Sequence, residues 1–351
     1  MIRSFVDSLH RYAFPTHTLY TQDMLLQLPG DAVALIGLAL IFDFLNGFHD
    51  SSNIVATMIS SRAIGPRFAL LITAVAEAVG PFLFGVAVAR TIGSEIVAET
   101  AVSMPVLMSA LIAAIGWNVF TWLAGIPSSS SHALIGGIVG ATIAGSGLNA
   151  LEWIGLGKVV AALLISPPIG LLAGYLLMKM ILFLARGATP RINVLFKRGQ
   201  VATALALALS HGTNDAQKTM GIITLGLVIS GALPAFDVPV WVIAISAGAI
   251  ALGASLGGWR LIRTLGAKFY TIRPVHGFTA QVASATVILG AALLGGPVST
   301  TQVVSSSILG VGSAERLSKV RWGVAQQIGV AWLLTIPMSA LLAAGIYVVI
   351  P

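Results

Sequence analysis

The 351 residues contain no cysteine, which excludes disulfides, thiol nucleophiles and thiolate metal sites. Charge is scarce as well: Asp, Glu, Lys and Arg make up 9% of the chain, where a soluble domain carries roughly 25%. No Walker A sequence is present, so nothing equips this chain alone for ATP-driven work. No nucleophile–base pair of defined spacing argues for a membrane-embedded phosphotransferase, and the six histidines lack a metal-ligand spacing. The formal charge of +7 does not point to nucleic acid, because the basic residues gather in short loops between apolar runs. Nothing in the chain calls for an organic cofactor.

Hydrophobic residues make up 57% of the chain, and its mean hydropathy is +0.95. The apolar runs are long and continuous, not short and alternating as in a barrel. The expected fold class is therefore an all-α integral membrane protein. Ten apolar segments are read at about 31–60, 67–90, 105–125, 132–147, 158–184, 201–228, 239–258, 277–295, 301–312 and 325–350. Residues 1–30 form an N-terminal extension; no small-residue cleavage site precedes the first run, and 2–14 fits a short surface helix.

The segments fall into two sets of five: a first repeat over 31–185, a short linker over 186–200, and a second repeat over 201–351. The fourth and ninth segments are short for a bilayer needing about 20 residues. Both follow a proline and a hydroxyl run: Pro127-Ser128-Ser129-Ser130-Ser131 and Pro297-Val298-Ser299-Thr300-Thr301. Ile165-Ser166-Pro167-Pro168 in the fifth segment parallels Thr335-Ile336-Pro337-Met338 in the tenth, and Ala76-Glu77-Ala78 parallels Ala280-Gln281-Val282. Five crossings per half make the second half enter from the opposite side, giving inverted-topology repeats. Ten crossings put the basic residues after segments one (Arg62, Arg67), five (Arg186, Arg191, Lys197, Arg198), seven (Arg260, Arg263, Lys268, Arg273) and nine (Arg316, Lys319, Arg321) on one face. The positive-inside rule makes that face cytoplasmic and both termini external. Re-entrant fourth and ninth segments would switch the side of the 186–200 loop.

Two polar cassettes interrupt the apolar chain, Asn46-Gly47-Phe48-His49-Asp50-Ser51-Ser52-Asn53 and His211-Gly212-Thr213-Asn214-Asp215-Ala216-Gln217-Lys218. An intramembrane carboxylate marks a functional site by default. Gly47 and Gly212 suit a break within their helices, exposing backbone N–H groups to an anion and carbonyls to a cation. Asn46, Asn53, Ser128, Ser129, Ser130, Asn214, Gln217, Lys218, Ser299, Thr300 and Thr301 supply donors for an oxyanion, or else satisfy unwound backbone and helix packing. Asp50 and Asp215 are candidate ligands of Na⁺ or H⁺, with Glu77 and its parallel Gln281 beside them. His49 and His211 are candidate proton relays or hydrogen-bonded structural groups.

These motifs carry a family resemblance. The runs Asp43 to Thr57 and Ser210 to Gly221 resemble the two signatures of the inorganic phosphate transporter (PiT) family. Gly116-Trp117-Asn118, Gly125 to His132 and Pro297 to Thr301 are similar to that family too. The resemblance covers nearly the whole chain from about Asp31 and is to a compact microbial type, since 186–200 is too short for the large loop of animal members. It implies import of inorganic phosphate by Na⁺- or H⁺-coupled symport with alternating access, in the cell membrane, with a homodimer as the expected assembly. It places Asp50, Asp215, Glu77 and the hydroxyl loops at the centre; Gln281 stands where some members carry Glu. A proton-coupled sulfate permease on the same scaffold and a gated anion channel are the rival readings.

Overall fold

The computed structural model describes residues 28–98, 101–126, 128–257 and 272–350. The expected surface helix at 2–14, Pro127 and the basic residues Arg260, Arg263 and Lys268 lie outside them. Among the described residues eleven α-helices follow in order: α1 (Gly30–Ser60), α2 (Pro66–Leu83), α3 (Ala87–Ser94), α4 (Met104–Ala124), α5 (Ser130–Ser146), α6 (Trp153–Leu184), α7 (Ile192–Ile229), α8 (Val240–Leu256), α9 (Pro274–Leu293), α10 (Thr300–Glu315) and α11 (Trp322–Val349). Among the described residues, seven helices are long and apolar enough to cross a membrane by length and composition. Proline near the N-terminus starts α2, α4 and α9, where its missing N–H costs no intrahelical bond. The outer flanks of α6 and α11 expose Leu172, Leu176, Leu184, Leu333, Leu341 and Val348. Such a continuous apolar exterior is stable against lipid and not against water.

Both cassettes lie within unbroken helices, α1 of 31 residues and α7 of 38. The expected breaks at Gly47 and Gly212 are absent, and these glycines do something else. A Cβ on Gly47 would fall on the Ile250 carbonyl of α8, and one on Gly212 would fall on the Glu77 backbone of α2. They permit two helices to touch backbone to backbone, a contact that membrane helices favour.

The breaks occur elsewhere. The third and fourth segments form a helical hairpin, α4–α5, and the eighth and ninth form another, α9–α10. The chain reverses at Gly125 (φ 67°) and Gly295 (φ 73°), in the left-handed region that favours glycine. The two hairpin tips are buried and meet: the Ser131 hydroxyl donates to the Val298 carbonyl at 3.2 Å. Each hairpin therefore starts and finishes at one end of the molecule, and pairing the third segment with the fourth preserves the order of ends.

Contacts identify those ends. At one, Ala98 N–H donates to Ala150 C=O and Glu152 N–H to Ile96 C=O, both at 3.0 Å. At the other, Ser61 donates to Gln200 at 2.6 Å, Gln200 donates to the Pro274 carbonyl at 2.8 Å, and Glu315 is ion-paired with Arg273 and Lys319. Arg273 and Lys319 stand at the second end, and Arg62, Lys197 and Arg198 lie within three residues of Ser61 or Gln200 there.

Packing is reciprocal between the halves. Gly140 of α5 abuts the Ala340 carbonyl of α11, while Gly310 of α10 abuts the Leu171 carbonyl of α6. Likewise Gly80 of α2 meets Leu209 and Thr213 of α7, and Gly253 of α8 meets Phe44 and Phe48 of α1. In this register the counterpart of Glu77 is Ile250, not Gln281: each meets the cassette glycine of the opposite half. The expected Glu77–Gln281 equivalence is corrected accordingly. It rested on short similarity between α2 and α9, which do not occupy matching places.

Candidate functional site

α1 and α7 bring Asp50 and Asp215 together at the centre, where the hairpin tips close over them. Both carboxylates are fully buried. The Thr300 hydroxyl lies 3.1 Å from Asp50 Oδ2 and 3.0 Å from Asp215 Oδ2. A hydroxyl has one hydrogen, so it serves one carboxylate at a time. His211 Nε2 lies 3.0 Å from Asp215 Oδ2 and 3.7 Å from Asp50 Oδ2, while its Nδ1 lies 2.8 Å from Glu77 Oε1. Asp50, His211 and Asp215 each offer a ligand atom within 4.8 Å of the others. The two carboxylates and the Thr300 hydroxyl are hard oxygen donors that suit a hard cation such as Na⁺, whereas the His211 imidazole nitrogen is a softer ligand.

Remaining bonds fix the carboxylates in place. Asp50 Oδ1 accepts from Thr301 at 2.8 Å and Asn53 at 3.0 Å, and His49 Nδ1 lies 3.0 Å away. Asn53 also donates to Thr301 at 3.1 Å. Asp215 accepts from Lys218 and, at 3.3 Å, from Asn46, whose own oxygen accepts from Ser130 at 2.7 Å. Lys218 also donates to Ser131 at 2.5 Å and the Val298 carbonyl at 3.0 Å, tying both hairpin tips to α7. Ser129 caps α5 and Ser299 caps α10, each accepting the N–H three residues on, at 3.1 and 3.4 Å. The N-termini of these two hairpin arms thus face the carboxylates, and their free N–H groups and dipoles favour an anion.

Charge at the centre is unbalanced. Asp43, Asp50, Glu77 and Asp215 are all fully buried, and among the described residues Lys218 is the one fully buried lysine. In low dielectric that excess of carboxylate demands protons or cations.

Other predicted site residues have different surroundings. Gln217 mends the break between α2 and α3: it accepts from Val88 N–H at 2.8 Å and Ala89 N–H at 3.3 Å, and donates to Gly85 C=O at 2.6 Å. Its oxygen and one of its two amide hydrogens are thus engaged by backbone, a structural role beside the expected substrate contact. Asn214 donates to Gly296 C=O at 3.2 Å and steadies the second hairpin tip. Ser128 donates to Thr121 at 2.8 Å within the first hairpin. Gln281 stands apart from the carboxylates, donating to Thr57 at 2.9 Å and accepting from Thr203 at 2.6 Å. Asp43 and the His132–Gln302 contact at 3.3 Å are features of the site that the motifs do not single out. Only Asp43 had a signal, an acid inside an apolar run; its place in the second cassette frame is Ala208, so no repeat drew attention to it.

Buried carboxylates held between helical hairpins, in a chain with a lipid-facing exterior, define a multi-pass membrane protein of the transporter class. Residues 46–343 match the model of the phosphate transporter family. The chain belongs to that family. It is 44% identical over 322 residues to the probable low-affinity inorganic phosphate transporter of Bacillus subtilis (strain 168), covering 91% of this chain and 96% of the relative. It is also 44% identical to the protein of the same description from Rhizobium meliloti (strain 1021), covering 90% and 95%. A solved structure described as the sodium-dependent phosphate transporter superposes with a TM-score of 0.84 at 27% identity, over 92% of this chain and 99% of that one.

Proposed function

We propose that this protein imports inorganic phosphate across the cell membrane by symport with a cation, Na⁺ or H⁺, through alternating access. The observation that carries the reading is the convergence of Asp50 and Asp215, one from each half, on the Thr300 hydroxyl at 3.1 and 3.0 Å. A cation held there offsets two carboxylates that would otherwise repel a phosphate mono- or dianion in low dielectric. Phosphate then binds against the N-termini of α5 and α10, with Ser130, Ser131, Thr300, Thr301 and Lys218 as donors. Occupancy of one site favours the other, which is the coupling a symporter needs.

The reciprocal glycine contacts support two inverted-topology repeats, 31–185 and 201–351, joined at 186–200. Collection of the basic loops at one end supports placing that end in the cytoplasm. The relatives' descriptions, inorganic phosphate in the bacteria and sodium dependence in the solved structure, favour phosphate and a coupling cation over sulfate or a channel.

The test is uptake of radiolabelled phosphate into proteoliposomes under an imposed Na⁺ or H⁺ gradient, with sulfate as competitor. Accumulation against a phosphate gradient supports symport, and the effective gradient names the ion. Equilibration without accumulation would favour a channel; accumulation of sulfate alone would move the assignment to a sulfate permease.

A further inference from the structure

We propose that Asp43 is a proton-binding site of the transport cycle, loaded from the face at which α1 begins, and that its loading is required for the centre to close. The proposal rests on the phosphate-transport reading and adds a site to it. Asp43 lies two helical turns before Asp50 on α1, toward that face. It is fully buried, and neither carboxylate oxygen accepts a hydrogen bond.

Each of the other central carboxylates is engaged. Asp50 is held by Thr301 and Asn53 and Asp215 by Lys218 and Asn46, while Glu77, which like Asp43 accepts no hydrogen bond, has the His211 ring 2.8 Å away as a counter-ion that Asp43 lacks. Asp43 has Thr219 of α7 beside it, with Asp215, Lys218 and His211 beyond. None of these reaches it as a counter-ion. The three donors of Lys218 serve Asp215, Ser131 and the Val298 carbonyl, and the two ring nitrogens of His211 face Glu77 and Asp215. α4 and α8, which pack on α1, contain no charged residue, and Glu77 of α2 is turned to His211.

An ionised carboxyl removed from water without donors neutralises instead. A metal cation would need several oxygen ligands, and the side-chain oxygen beside Asp43 is the single Thr219 hydroxyl. A proton needs no further ligand. The step is simple: the Asp43 carboxylate takes one proton from hydronium at that face, forming one O–H bond as the donor's O–H bond breaks and water is released, and becomes the neutral acid. Reopening to that face reverses it. Closure therefore requires a proton at Asp43 as well as a cation between Asp50 and Asp215.

The experiment follows phosphate uptake by the full chain in proteoliposomes while pH is varied on the face where α1 begins, with the opposite side buffered and the coupling cation saturating. Phosphate itself titrates, but equally for every variant. Wild-type uptake should fall about tenfold per pH unit along its alkaline limb if a single proton is required. Asp43→Asn, which cannot ionise, should lack the part of that limb that Asp43 sets. Thr219→Val should displace the wild-type midpoint. An infrared carbonyl band of an un-ionised carboxyl, present in wild type and lost in Asp43→Asn, reads the same proton without any transport. A wild-type pH profile in Asp43→Asn would overturn the proposal. So would an inserted, heat-stable Asp43→Asn that is inactive at every pH, because a charged carboxylate would then be needed. Should Asp43→Asn fail to fold, an unmoved midpoint in Thr219→Val would overturn it. A wild type that carries no phosphate yet shows the band at a frequency sensitive to Thr219→Val would sink the transport reading and keep the proton site; a missing band would remove the site as well.

Discussion

Replacing Gly212 with alanine tests the backbone contact on which the centre is built. A Cβ there would fall onto the Glu77 carbonyl oxygen, 2.7 Å from Glu77 Cα and 2.9 Å from its carbonyl carbon. Ordinary contact begins at 3.4 Å, and all three obstacles are backbone, so no side chain can swing away. α2 and α7 must then part by roughly 1 Å, a gap that forfeits a quarter to a half of the dispersion well along the seam. Overpacking of this kind costs about 1–3 kcal/mol, with rigid obstacles favouring the upper end. Alanine in a helix interior returns roughly 0.5–1 kcal/mol relative to glycine. The net expectation is a loss of about 2 kcal/mol, or a Tm lowered by roughly 3 °C for a chain of this length. The same displacement stretches the 2.8 Å contact between Glu77 and His211, so uptake should fall too. Gly290→Ala is the control: it lies inside α9, and nothing stands within 4 Å of its Cβ position. Thermal unfolding in detergent and uptake in proteoliposomes read both variants. A Gly212→Ala protein matching Gly290→Ala in both would refute the reasoning.

Lys218→Met should leave Asp215 without its ammonium and cut the ties to Ser131 and Val298; breaking a buried pair costs about 3–5 kcal/mol, and a Tm equal to wild type would argue that the pair is not formed. Gln217→Leu should lower Tm, because two backbone N–H groups and one carbonyl lose partners at roughly 1–3 kcal/mol each, with the apparent phosphate KM little altered; a raised KM at unchanged Tm would restore Gln217 to the substrate site. Thr300→Val should weaken the apparent cation affinity more than Thr301→Val does, since Thr300 alone touches both Asp50 and Asp215. A hydrogen bond to a charged group is worth about 1.5–3 kcal/mol, or roughly 10–100-fold in affinity, and equal effects from the two variants would count against a cation held between the aspartates.

Membrane class, the two cassettes and the hydroxyl runs were legible because each is a local departure from an apolar background. Asp50, Asp215 and Thr300 could be singled out as polar groups at membrane depth, and the structure brings them within hydrogen-bond reach. What could not be read is register between distant helices. Gly47 and Gly212 look like breaks in one dimension, since glycine permits both a kink and a close approach; only the presence of Ile250 and Glu77 opposite them decides which. Gln217 is polar in the right frame, yet its partners are Gly85, Val88 and Ala89, more than a hundred residues away. Asp43 has no repeat partner, so an argument built on matched halves passed over it. Pairing of the short segments is also a matter of register: α5 packs on α4 and α10 on α9, which no feature of the short segments alone expresses.

The arrangement also explains why a site at the centre can sense both halves at once. Asp50 belongs to the first half but is held by Thr300 and Thr301 at the N-terminus of α10, in the second. Asp215 belongs to the second half but is held through Asn46, which Ser130 of α5 braces from the first. Those same arms are exchanged at their outer contacts, α5 resting on α11 and α10 on α6. A charge change at either aspartate therefore alters contacts of both hairpins, and each hairpin is anchored to the helix that ends the opposite half. Backbone contacts at Gly140 and Gly310 leave little room for independent sliding. A hairpin that withdraws from the centre must carry its partner helix along, so motion is steered into movement of whole units. That is the mechanical condition under which filling a small site can be felt at the ends of the molecule.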